Sequence, residues 1–91
     1  MIILIRPDGS EFTIREDQEK LPLPEFRHYL GATFLRYQLR DGRAVYFADS
    51  GDENPTITDL IQTQAEVHMT PLDRPVFGNA LIVDVENEYE E

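Results

Sequence analysis

An Asp-Gly pair set between two apolar stretches constrains this chain more than any other feature. Phe34–Leu39 and Ala44–Ala48 flank Arg40-Asp41-Gly42-Arg43. Such a dipeptide between strand-like runs is a strong hairpin signal, because Asp and Gly both tolerate the positive φ of a type I′ turn. A two-residue loop sets Arg40 opposite Arg43. Counting outward, Leu39 opposes Ala44, Tyr37 opposes Tyr46 and Leu35 opposes Ala48 on a core face. Arg36 opposes Phe47 and Gln38 opposes Val45 on a second face, mixed and basic, which the Arg40/Arg43 pair completes.

A second hairpin is expected at the start of the chain. Ile2–Arg6 is a short apolar run, Pro7-Asp8-Gly9-Ser10 is turn chemistry, and Glu11–Arg15 alternates with Phe12 and Ile14 on one face. Proline presets φ at the first turn position and glycine supplies a positive φ where closure needs one.

Glu16–Lys20 reads as a charged turn, and Leu21-Pro22-Leu23-Pro24 as extended, since each leucine precedes a proline. Pro24 can open a helix of about two turns, with Phe26, Tyr29 and Leu30 at helical spacing and Gly31 as its stop. A helix that short is stable only when docked on a sheet. Asp49–Asn54 reads as a loop, and Pro55 starts a second helix reaching about Glu66, with Ile57, Leu60 and Ile61 on its apolar face. Its cap is Asn54 or, alternatively, Thr56 paired with Asp59. Val67–Pro75 is a connection with room for a short strand at Val67–Met69. Gly78 permits a turn or bulge, and Ala80–Val85 is an apolar strand able to sit inside a sheet.

The order β-β-α-β-β-α-β defines an α+β domain: a small, mainly antiparallel sheet with two short helices packed on it. Ninety-one residues make one domain over residues 1–85, followed by an acidic tail at 86–91. Sheet order is not readable from this pattern.

Net charge is −10, from 18 acidic and 8 basic side chains, and five of the acids stand in the last eight residues. Such a balance repels nucleic-acid phosphates and anionic membranes. It serves solubility, or it attracts a basic partner. The chain has no cysteine, which removes disulfides, thiolate metal sites and cysteine nucleophiles and fits a reducing cytoplasm. No apolar run approaches the roughly 20 residues of a membrane span, and the start lacks the pattern of a signal peptide. The expectation is a soluble, cytoplasmic protein.

Catalytic constellations are sparse. The glycines stand singly in separate turns, so there is no phosphate-cradling loop. His28 and His68 lack metal-ligand spacing, and Ser10 and Ser50 stand in turn contexts without a nucleophile elbow. Asp49–Asn54 lacks the order of a calcium loop, with Leu60 at the position that needs a bidentate glutamate. No catalytic residue, metal or cofactor is expected. The positive feature is Arg36, Arg40 and Arg43, with Arg27 as a further candidate. On one hairpin face these would clamp a carboxylate or phosphate, or else pair with the protein's own surplus acids.

The turn signatures also carry a resemblance. Leu30-Gly31 ending a short helix, Asp41-Gly42 with Tyr46 in the following strand, Asn54-Pro55 with Thr56, and the closing Gly78-Asn79-Ala80-Leu81-Ile82-Val83 are similar to a small family found in phages and mobile elements. It is known as domain of unknown function 3846, and the resemblance covers about residues 24–85. It implies an accessory or host-interaction protein without enzymatic activity, and supplies no catalytic residues. The leading functional expectation is therefore a non-enzymatic interaction module that binds a protein partner, a basic one being favoured. A binder of a small anionic ligand at the arginine face is the alternative. Homodimerisation through exposed sheet edges is compatible with both.

Overall fold

The apolar runs sort into inner and outer strands by their pattern. Ile2–Ile5 (β1), Arg43–Ala48 (β4) and Ala80–Asp84 (β5) are nearly continuous in apolar residues, whereas Glu11–Arg15 (β2) and Phe34–Gln38 (β3) alternate or carry polar groups. A strand buried on both faces has no polar side to show, so continuity marks the interior of a two-sided sheet. The computed structural model, which describes residues 1–17, 20–48, 50–64 and 75–84, has that arrangement. Its five strands run β2-β1-β5-β4-β3, all neighbours antiparallel, with the last strand in the centre.

The two helices, Leu23–Leu30 (α1) and Pro55–Gln64 (α2), cover opposite faces. Phe26 and Leu30 of α1 meet Ile2, Leu4, Ala44, Tyr46, Leu81 and Val83. Ile57 and Ile61 of α2 meet Ile5, Val45, Phe47, Ala80 and Ile82, together with Leu39 and Val76. Successive side chains of β1, β4 and β5 thus enter two different cores, which explains why those strands have so few polar positions. Each fully buried Leu, Ile or Phe contributes about 1.5–3 kcal/mol by leaving water. An aromatic trio locks α1 to the sheet, with Phe26 edge-on to Tyr46 at 4.9 Å and Phe34 within 6.0 Å of Phe26 and 5.8 Å of Tyr46.

Helix α1 begins one residue earlier than expected. Pro22 is its extended N-cap residue (φ −60°, ψ 146°), Leu23 is its first residue, and Pro24 lies in the first turn, where a missing N–H removes no helical bond. Gly31 ends it as expected, donating its N–H to the Arg27 carbonyl at 2.8 Å. Asn54 caps α2, its Oδ1 accepting the Ile57 N–H at 3.3 Å. The anticipated strand at Val67–Met69, the end of α2 beyond Gln64, and the acidic tail lie outside the described residues. Among the described residues no helix is long and apolar enough to cross a membrane.

The hairpin register requires a correction. The β3–β4 pairs are Phe34–Ala48, Leu35–Phe47, Arg36–Tyr46, Tyr37–Val45 and Gln38–Ala44, one residue away from the two-residue-loop count. Leu39 donates to the Arg43 carbonyl at 2.8 Å and Gly42 donates to the Leu39 carbonyl at 3.3 Å. The loop therefore has three residues: Arg40 and Asp41 form the turn and Gly42 follows at φ +90°. No described residue other than glycine has a positive φ, which rules out type I′ at Asp41. Because side chains alternate with period two, one residue of slip exchanges the two faces of β3 relative to β4. Tyr37 consequently lies on the α2 side, its ring 5.9 Å from Phe47, rather than against Tyr46.

Candidate interaction surface

Both hairpins close with the same three-residue device. In the first, Gly9 donates to the Arg6 carbonyl at 2.9 Å, Arg6 donates to the Ser10 carbonyl at 3.0 Å, and Gly9 has φ +88°. In each, the aspartate before glycine accepts the amide two residues on: Asp8 Oδ1 from Ser10 at 2.8 Å, Asp41 Oδ1 from Arg43 at 3.1 Å. The turn form is thus fixed by Asp holding its own backbone, with glycine supplying the left-handed residue that follows.

These bonds hold both carboxyls below the usual aspartate range. For Asp41 the cause is chiefly the Arg43 side chain, with Nε at 2.8 Å and Nη2 at 2.6 Å from Oδ2; for Asp8 it is the hydrogen bonding of Ser10. A carboxyl with a depressed native pKa stabilises the fold above its unfolded value and loses that contribution as pH falls through the native one. Both turns should therefore loosen only in acid below the ordinary aspartate range. A carbon-13 titration of the two carboxyls checks this, and Arg43→Ala should return Asp41 toward its ordinary value while leaving Asp8 unmoved.

The arginines predicted to share one face do not do so. Arg36 stands opposite Tyr46 on the α1 side, where its Nε donates to Tyr46 Oη at 3.2 Å and its Nη2 to Gln38 Oε1 at 2.8 Å. Arg43 precedes Ala44, a residue of the α1-side core, so it belongs to the α2 side and is held by Asp41. Arg40 is exposed in the turn between them, and Arg27 is exposed on α1.

Other polar residues are built into the frame. Asn54 is fully buried and its Nδ2 donates to the carbonyls of Gly78 at 2.9 Å and Ile5 at 3.3 Å. Thr58 Oγ1 bonds the Asn54 carbonyl at 3.0 Å and accepts the Val76 N–H at 2.9 Å. The Ser50–Asn54 stretch is held through Gly78, which donates to Asp52 at 2.7 Å, and through a bridge between Glu53 and Phe77. His28 is exposed, with its ring against Tyr29 at 5.2 Å. Among the described residues no group of three His, Asp or Glu is placed to hold a metal.

What sequence reasoning missed is the contrast between the two outer strands. Bond alternation in an antiparallel ladder decides which backbone groups face outward. Leu39 and Arg43 are a hydrogen-bonded pair, so Tyr37 and Leu35 bond β4, while the N–H and C=O groups of Phe34, Arg36 and Gln38 point away from the sheet. By the same count from Arg6 and Ser10, Glu11 and Thr13 point outward from β2. Strand β2 is broken by a bulge near Ile2/Ile3 and is flanked by Asp8, Glu16 and Asp17. Strand β3 keeps an uninterrupted register and exposes Leu35 to 41%. Bulges and edge charges are the usual guards against further pairing, and β3 has fewer of them. The available signal was the alternation of β2 and β3 against the continuous runs of the inner strands.

The molecule is thus an α+β domain whose five described strands form an antiparallel sheet covered on both faces. Comparison with family models, curated proteins and solved structures found no match.

Proposed function

We propose that this chain is a non-enzymatic interaction module that docks a protein partner, acting as an accessory or regulatory protein of a phage or mobile element in the cytoplasm. The observation that carries this reading is a strand edge, β3, left regular and part apolar on a chain of net charge −10. Both sheet faces are taken up by the cores under α1 and α2, which leaves edges and surface charge to meet other molecules. Excess negative charge favours a partner that is basic overall, mostly by speeding encounter. The resemblance of residues 24–85 to the phage-associated family supports the accessory role.

The alternative reading, a small anionic ligand held by Arg36, Arg40 and Arg43, would have to draw its donors from two sides of the hairpin. Capture of the tagged full chain on a sensor surface in host lysate tests the leading reading. One stoichiometric partner whose association slows as salt rises is the expected result. An association rate indifferent to salt removes the electrostatic part, and absence of any protein partner removes the module itself.

A further inference from the structure

Asp8-Gly9 and Asp41-Gly42 are the same dipeptide in the same three-residue turn. An aspartate before glycine is able to rearrange its own backbone. The glycine amide nitrogen attacks the aspartate γ-carbon, a carboxyl oxygen leaves as water, and a five-membered imide forms. Water then opens the ring at one of its two carbonyls. One route restores aspartate; the other leaves isoaspartate, with the main chain running through the γ-carbon. One water is lost and one regained, so the step needs no oxidant or reductant. Glycine favours it because no side chain crowds the nitrogen and the backbone there turns freely.

Ring closure requires the carboxyl to leave the bonds that hold it and meet the nitrogen in an attacking geometry. The two turns differ in what those bonds are. Asp41 is gripped at both oxygens by one residue. Its Oδ1 accepts the Arg43 N–H at 3.1 Å, its Oδ2 accepts Arg43 Nε at 2.8 Å, and Nη2 stands 2.6 Å from that same oxygen. Bonds from a guanidinium to a carboxylate are about twice as strong as neutral ones. Asp8 is hydrogen-bonded by the neutral donors of Ser10, its Oδ1 accepting the N–H at 2.8 Å. The arginine nearest it in sequence, Arg6, lies over the Phe12 ring at 4.5 Å instead. Both carboxyls are held below the usual range and are ionised at neutral pH, so charge does not separate them. The glycine amides run the other way, Gly9 bonding its carbonyl at 2.9 Å and Gly42 at 3.3 Å. That difference lies within one neutral backbone bond and is outweighed by the guanidinium.

We propose that Asp8-Gly9 is a site of spontaneous aspartate isomerisation in the folded protein, and that the Arg43 clamp keeps Asp41-Gly42 from the same reaction. The product is a free α-carboxylate on a backbone one methylene longer, in the turn that joins β1 to β2. Enzymes that methylate isoaspartyl carboxylates from S-adenosylmethionine recognise a group of that chemistry.

The test ages the full chain at neutral pH and maps its peptides. Aspartyl and isoaspartyl forms have equal mass, separate on chromatography and are told apart by electron-transfer fragmentation. Isoaspartate should be roughly tenfold more abundant at position 8 than at position 41. In urea the two positions should convert at similar rates, each being only an aspartate before glycine. Arg43→Ala should bring position 41 up to the level of position 8 and leave position 8 unchanged. Asp8→Glu should abolish conversion at position 8, because a six-membered ring closes far more slowly.

Equal conversion at the two positions of the folded chain overturns the proposal, as does no conversion at position 8 while the urea-unfolded chain converts. A ratio in urea as large as the native one also overturns it, since the clamp then plays no part. So does a folded Arg43→Ala protein in which position 41 stays slow. The ratio in the unmodified sequence, native against urea, decides the matter even if Arg43→Ala fails to fold.

Discussion

Gly78→Ala will cost about 3 kcal/mol or prevent folding, the sum of a left-handed backbone at a non-glycine residue and overpacking against fixed atoms. The residue has φ +78°, and a β-carbon there would stand 2.5 Å from the Ser50 carbonyl oxygen and 2.7 Å from the Ala48 β-carbon. The first is backbone and the second a short side chain on β4, so neither can swing aside. Gly51 faces it so closely that its own β-carbon would come within 3.1 Å of the Gly78 α-carbon. Gly42→Ala is the internal control, since φ is +90° with nothing within 4 Å. That variant should lose only about 1 kcal/mol, from conformation alone. Urea unfolding of the two variants reads the difference, and similar midpoints would refute the close approach of the two loops.

Asn54→Ala will cost about 3 kcal/mol for a different reason. The amide caps α2 through Ile57 and also donates to two buried carbonyls, those of Ile5 and Gly78. Loss of a cap accounts for about 1 kcal/mol, and acceptors stripped of their donor in the interior for the rest. Asn54→Asp separates the two contributions. Aspartate caps as well as asparagine does, but it turns an acceptor toward the Ile5 and Gly78 carbonyls and buries a charge. At neutral pH it should destabilise at least as much as alanine. If Asn54→Asp proves near neutral, the side chain acts as a cap and nothing more.

Asn54 also marks how far local reading reaches. Its place before Pro55 announced a cap, because capping depends on a side chain and the three residues after it. Its bonds to Ile5, 49 residues away, and to Gly78, 24 away, carried no local sign. Asp41-Gly42 shows the same division inside one turn. The hairpin was legible; its loop length was not, since Asp-Gly fits both a two-residue turn and a turn followed by a left-handed glycine. The outcome is decided by which register buries the flanking strands, and here both faces of β4 are buried, so its own pattern could not choose. The arginine cluster expected from the wrong register failed with it.

By itself the sequence determined the elements and their order, the turns closed by glycine, and the caps, because each rests on dihedral preferences and bonds spanning a few residues. It also determined the charge, which no folding changes. Only the tertiary structure decided that the last strand lies at the centre between β1 and β4, that α1 and α2 take opposite faces, and that β3 is left at an edge. Those choices come from long-range pairing of continuous apolar runs. Ile2–Ile5, Ala44–Ala48 and Ala80–Val83 are each apolar on both sides, so any of them can pair with any other until all surfaces are buried at once.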